Sequence, residues 1–174
     1  NVYRPCDVVE TAECWAASLE TSSTPSVLSL SRQGLPCLRT EHTDENLSSK
    51  GGYVLAEAEA KRDVTLIASG SEVEIAMEAR DQLKAEGVSA AVVSMPCLDK
   101  FEEQSQDYRD QVTQLETPVV VVEAAIEQSW GKYLGRNGKF VGMSTFGASA
   151  PANELYQHFG ITTQNVVNAA KKII

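Results

Sequence analysis

The chain has only two histidines, four cysteines, no long apolar run and a shortage of positive charge, and each scarcity removes a class of function. His42 lies in a polar stretch and His158 stands beside Phe159, so no Ser/His/Asp or Cys/His constellation can be assembled from them. Surface solvation is expected for His42 and partial packing for His158. Cys6, Cys14, Cys37 and Cys97 show no CxxC pairing, which argues against zinc. A chain of 174 residues with 43% hydrophobic content buries enough core to need no disulfide framework, so all four read as reduced thiols. Apolar runs such as Pro118–Val122 are far too short to span a bilayer, and the N-terminus lacks the layout of a signal peptide. The expectation is a cytoplasmic chain without a membrane partner. Fifteen basic residues against 24 acidic ones give a net charge of −9, and the basic ones are scattered, which argues against nucleic acid.

What is present is a regular alternation of strand and helix patterns. Residues 7–20 predict a helix with Asp7 as N-cap and a stripe of Ala12, Trp15, Ala16 and Leu19. Val27–Leu30 predicts a strand, and 33–52 has the composition of a linker or long functional loop. Further strands are expected at 63–68, 90–95, 117–122 and 139–143, and helices at 71–86, 102–115 and 126–134, with two more beginning near Pro151 and Thr162. Ser71 and Glu74 have the spacing of a capping box. The fold class is therefore α/β: a three-layer α/β/α sandwich with a mostly parallel sheet of about five strands. One helix and one strand cannot bury two faces, so residues 1–42 read as the remnant of another domain and 43–174 as a domain of its own.

Arg32 is the first candidate functional residue. It follows the apolar run Val27–Leu30 and precedes Gly34-Leu35-Pro36, so a fixed positive charge emerges where a strand surfaces. A guanidinium so placed offers oriented donors to a phosphate or carboxylate, each charge-assisted contact worth about 1.5–3 kcal/mol. Gly70-Ser71-Glu72-Val73 places amides at a helix start, but Ser71 and Glu74 are positioned to satisfy them and the acidic side chains repel an anion. Gly135-Arg136-Asn137-Gly138-Lys139 lacks the first glycine and the Ser/Thr of a phosphate loop and reads as a turn. Glu123, directly after a buried strand, suits a base, a partner for a cation or a helix-start residue.

Six segments in order and spacing carry a family resemblance: Arg4-Pro5-Cys6-Asp7; Ser29-Leu30-Ser31-Arg32-Gln33 with Leu35-Pro36; Gly51 to Leu55; Ile67 to Val73; Val92 to Pro96; and Phe146 to Ala152. Together they resemble the C-terminal quarter of a bacterial-type transketolase. Each segment is weak alone; in register they are specific. The resemblance implies that residues 1–42 are the end of a pyrimidine-binding domain with the start of its linker, and that 43–174 are the transketolase C-terminal domain. It implies a homodimeric parent enzyme that moves a two-carbon ketol unit between sugar phosphates in the pentose phosphate pathway, using thiamine diphosphate and Mg2+. It gives this chain a structural and dimer-supporting role and one substrate residue, Arg32, on the sugar phosphate. Catalytic, cofactor-binding and metal residues are expected upstream of Asn1, so the fragment alone is expected to be inactive and to hold no cofactor. Related readings are the C-terminal module of a deoxyxylulose phosphate synthase or of a 2-oxo acid dehydrogenase component; an independent non-catalytic binding module is the reading from another class.

Overall fold

The computed structural model describes residues 1–174. Its centre is a five-stranded sheet built from β3 (Tyr53–Ala56), β4 (Val64–Ala68), β5 (Ala90–Ser94), β6 (Val119–Ile126) and β7 (Lys139–Met143), in the order β3-β5-β4-β6-β7. All pairings are parallel except that of β3, an antiparallel edge strand. Alternate residues of the central strands serve opposite faces, as the pleat requires. Val64, Leu66, Ala68, Val92, Val120 and Val122 face one core, which is completed by α2 (Glu72–Ala85) and α6 (Thr163–Lys171). Ile67, Val93, Val119 and Val121 face the other, with Phe101, Trp130 and Tyr133. Both faces are covered, which accounts for the unbroken valine run of β6.

The N-terminal residues form a separate two-stranded parallel sheet, β1 (Val2–Tyr3) with β2 (Val27–Leu28), flanking α1 (Val8–Glu20). Asp7 caps α1 as expected, its carboxylate accepting from the Glu10 amide at 2.8 Å. The predicted apolar stripe of α1 is, however, the exposed one: Trp15 and Leu19 are 51% and 78% accessible. Glu10, Cys14 and Ala17 make the buried face instead. The buried face is set by Glu10, polar by composition, whose carboxyl takes hydroxyl donors from Tyr53 and Ser94 of the main sheet.

Three further expectations are corrected by local chemistry. The helix foreseen over 102–115 is two: α3 (Leu98–Glu102), anchored by the fully buried Phe101, and α4 (Gln106–Thr113), restarted by Ser105, whose hydroxyl accepts from the Tyr108 amide. In place of a helix over 126–134, β6 runs on to Ile126 across a register shift, followed by the single turns Glu127–Ser129 and Gly131–Tyr133. Trp130 and Tyr133 are nevertheless buried, their rings 5.9 Å apart. The Ser71 capping box does not form: Ser71 is already helical, its hydroxyl donates to Glu72, and the Glu72 and Val73 amides bond back to Ser69 and Gly70 carbonyls. That tight turn holds Gly70 at φ +55°, where a Cβ is disfavoured. The last two helices, α5 (Ala152–Phe159) and α6, lie where expected.

The Gly51-Gly52 pair marks where the segment 33–52 joins the sheet. Gly51 has φ +81°, and a Cβ there would sit 2.2 Å from the Phe101 amide nitrogen and 2.3 Å from the Cys97 carbonyl oxygen. Both obstacles are backbone and cannot rotate away. Gly51→Ala is expected to destabilise the chain by more than about 1 kcal/mol, measured as a fall in the urea midpoint; an unchanged midpoint would show that this close approach is not held in solution.

Candidate functional site

Arg32 does not stand on the five-stranded sheet. It lies four residues beyond β2, which pairs only with β1, and its side chain is exposed with neither an ion pair nor a hydrogen bond inside the chain. The position follows from how its loop is tied. The Ser29 amide continues the β1–β2 pairing onto the Tyr3 carbonyl at 2.8 Å. On the far side the second oxygen of Asp7 accepts from the Leu38 and Arg39 amides at 3.0 and 3.2 Å. Glu13 of α1 pairs with Arg39 and accepts from the amide and hydroxyl of Ser48. The Arg32 loop is thus held at both ends by β1 and α1. A recess of about 310 Å³ beside it is lined by Asp7, Thr11, Leu30 and Ser31.

The carboxyl edge of the main sheet carries a different arginine. β4 leads to β5 on one side and the chain then returns to β6 on the other, so the crevice between the ends of β4 and β6 is the switch point at which open α/β sheets take ligands. Into it runs Arg4, whose amide donates to the Pro96 carbonyl at 2.7 Å and whose carbonyl accepts from the Gly70 amide at 2.9 Å. Its Nη2 lies 3.1 Å from Glu72 Oε2 and 2.7 Å from Glu123 Oε1. Ser69 donates to the other Glu123 oxygen at 2.7 Å, and Ser71 and Tyr156 both donate to Glu72 Oε1. Glu123, foreseen as a base, a cation partner or a helix-start residue, is a buried strand residue paired with a cation. Arg4 and Glu72 were not foreseen. A two-residue strand shows no period, and Glu72 looked like an ordinary acidic residue in a first helical turn.

A second buried carboxylate completes the junction. Glu10 is fully buried; it accepts from the Cys6 amide at 2.7 Å, from Tyr53 at 2.8 Å and from Ser94 at 2.5 Å, the last two from the main sheet. Burial outweighs these three donors and holds its carboxyl above the ordinary range. The remaining sequence candidates stay apart. His42 is exposed against Asp44 at 3.0 Å. His158 is exposed rather than partly packed, with its ring edge-on to Phe159. Gly135–Gly138 forms a turn, and all four cysteines are free thiols, of which only Cys37 is exposed. No helix is long and apolar enough to cross a membrane.

Burial pushes the Glu123 carboxyl up to about 8; the Arg4 guanidinium opposes the rise and Glu72 adds to it. The folded chain therefore keeps a proton that the unfolded chain releases, and the unfolding free energy contributed by Glu123 falls as pH rises from the ordinary carboxyl value toward 8. Glu10 acts in the same direction. Urea midpoints taken at about pH 5.5 and about pH 7.5 should be higher at the lower pH, and Glu123→Gln should shrink that difference; an unaltered difference would show that Glu123 titrates normally.

Residues 51–162 match the family model described as the transketolase-like TK C-terminal domain. The transketolase of Sinorhizobium medicae is 53% identical over 175 residues, covering all of this chain and 25% of that protein. A crystal structure of Pichia stipitis transketolase in complex with sedoheptulose-7-phosphate superposes with a TM-score of 0.88 at 35% identity, covering 99% of this chain and 25% of the other. A split-gene transketolase, described as an inactive beta4 tetramer, superposes with a TM-score of 0.78 at 26% identity, over 99% of this chain and 57% of its own. The chain spans about a quarter of the length of the curated relatives it matches. It belongs to the transketolase family and corresponds to the C-terminal part of such a protein.

Proposed function

We propose that this chain is the part of a ketol transferase that receives the phosphate end of a sugar phosphate through Arg32, within a parent protein whose other domains carry the reaction. The observation that carries the reading is the state of Arg32 itself. It is a guanidinium with no acceptor inside the chain, on a loop fixed at both ends, within a sequence that resembles transketolases along its whole length. A planar fork of donors suits a phosphate, and holding that end of the substrate fixes where its carbonyl end lies. Grip on a remote phosphate supplies binding energy and orientation without touching the bond that breaks.

Thiamine diphosphate would supply the chemistry that stabilises a carbanion, with Mg2+ holding its diphosphate. The residues present do not fit that pair: no three His, Cys, Asp or Glu side chains are grouped as a metal would need, and the buried carboxylates are engaged with Arg4, Ser69, Tyr53 and Ser94. Cofactor and metal are therefore assigned to residues outside this chain, and the isolated chain is read as inactive. The bare stripe of Val8, Trp15 and Leu19 supports the same division, since a helix face of that kind needs cover from a larger domain. The domain division at residue 42, a cytoplasmic setting, a homodimeric parent and a place in the pentose phosphate pathway belong to this proposal.

In the intact parent enzyme, Arg32→Ala should raise KM for phosphorylated sugars roughly 10- to 100-fold, the size of one lost charge-assisted contact, and spare unphosphorylated analogues. Equal losses on both substrate types would sink the phosphate role. Calorimetry on the isolated chain with thiamine diphosphate and Mg2+ should show no binding heat; micromolar affinity would overturn the assignment of the cofactor to other domains.

A further inference from the structure

Beside the Arg4 cluster a cavity of about 780 Å³ opens at the carboxyl edge of the sheet, between the ends of β6 and β7 and α5. Its walls are mostly hydrophobic: Ala124 and Ile126 from β6, Met143 from the end of β7, and Leu155 and Phe159 from α5. Phe146 stands almost fully exposed at its margin. The volume lies within the roughly 300–1,000 Å³ of small-molecule sites, and such sites are apolar pockets with a few convergent polar groups. Here the polar groups are Arg4, Ser71, Glu72 and Tyr156, gathered on the side where β4 and β6 end.

The hydrogen-bond inventory of that polar side decides the chemistry of a ligand. Glu72 Oε1 is filled by Ser71 and Tyr156, and Oε2 by Arg4. Arg4 spends Nη2 on a hydrogen bond to Glu72 and lies 2.7 Å from Glu123 Oε1, a buried oxygen without a hydrogen-bond partner, while its Nε and Nη1 have no acceptor in the chain and its side chain is one-third accessible. The surplus is of donors, three N–H groups on one guanidinium against the single unpartnered Glu123 oxygen. What the site lacks is an acceptor next to an apolar body. Burial raises the Glu123 carboxyl, which lessens the negative charge that this group sets against an incoming anion.

We propose that this crevice binds a small organic acid with an aromatic or branched apolar body, its carboxylate on Nε and Nη1 of Arg4 and its body against Met143, Leu155 and Phe159. The site does not use Arg32, so the two readings stand or fall separately.

The full 174-residue chain can be titrated with 4-phenylbutyrate and with its uncharged amide while amide NMR signals of Ala124, Met143 and Leu155 are followed. The acid should saturate these shifts one-to-one, at least roughly tenfold more tightly than the amide, reflecting the charged partner. Ala148 is exposed at the cavity wall, so Ala148→Trp should block the crevice and weaken the acid at least roughly tenfold, the contacts being excluded, while leaving the melting temperature unchanged. Arg4→Lys keeps the charge but loses the fork, and should erase most of the preference for acid over amide. Equal binding of acid and amide, binding indifferent to Ala148→Trp, or no saturable shift would each overturn the proposal. So would sedimentation showing a dimer that Ala148→Trp dissociates, because the crevice would then be a protein-protein face.

Discussion

Two buried carboxylate clusters join the N-terminal segment to the sheet, and the placement of everything else depends on them. At one, Arg4 lies between Glu72 and Glu123 across the ends of β4 and β6. At the other, Glu10 of α1 receives hydroxyls from Tyr53 of β3 and Ser94 of β5. A carboxylate removed from water is costly unless it is paired or hydrogen-bonded, and leaving one partner of a buried pair alone typically costs about 3–5 kcal/mol. These groups therefore admit only one seating of α1 and β1 on the sheet. The seating turns the Val8, Trp15 and Leu19 stripe outward and fixes the start of the Arg32 loop.

The same junction organises the chemistry of the surface. Asp7 and Glu10 lie one and four residues beyond Cys6 in a single helical start, yet they act in different directions. Asp7 caps the helix and ties the loop after Arg32, while Glu10 faces the sheet. One end of α1 thus couples a candidate phosphate-binding loop to the interior of the C-terminal fold. Arg4 does the equivalent at the switch point, where its backbone bridges the turns after β4 and β5 and its side chain borders the apolar crevice. The acidic net charge of the chain is no obstacle to either arginine, since local geometry rather than total charge sets the field at a few ångströms.

Much of the fold was legible because its signals are local or periodic. β4 to β7 and α2, α5 and α6 lie close to their expected positions, since β-branched runs bounded by Gly and Pro, and helices with polar starts, declare themselves within ten residues. The misses have a common cause. The turns over 127–133 replace a helix because β6 keeps pairing with β7 beyond Val122, which only the neighbouring strand dictates. β3 is visible only as an edge partner of β5, across a register shift. In the site, Glu123 stands out because it follows a valine run, whereas Arg4 and Glu72 acquire meaning only when the ends of the first and fourth strands in chain order are compared in space.

Spacing along the chain is enough to dictate the alternation of strands and helices, the two-faced burial of β6, the capping of α1 by Asp7 and membership of the transketolase family. Long-range packing settles which face of α1 is buried, that Arg32 lies off the main sheet, and that Arg4 rather than Arg32 meets the switch point. Those outcomes turn on giving buried carboxyl groups partners across 43 to 119 positions of chain, from Glu10 to Tyr53 and from Arg4 to Glu123. No periodicity reports which distant partner will satisfy a carboxylate once water is gone.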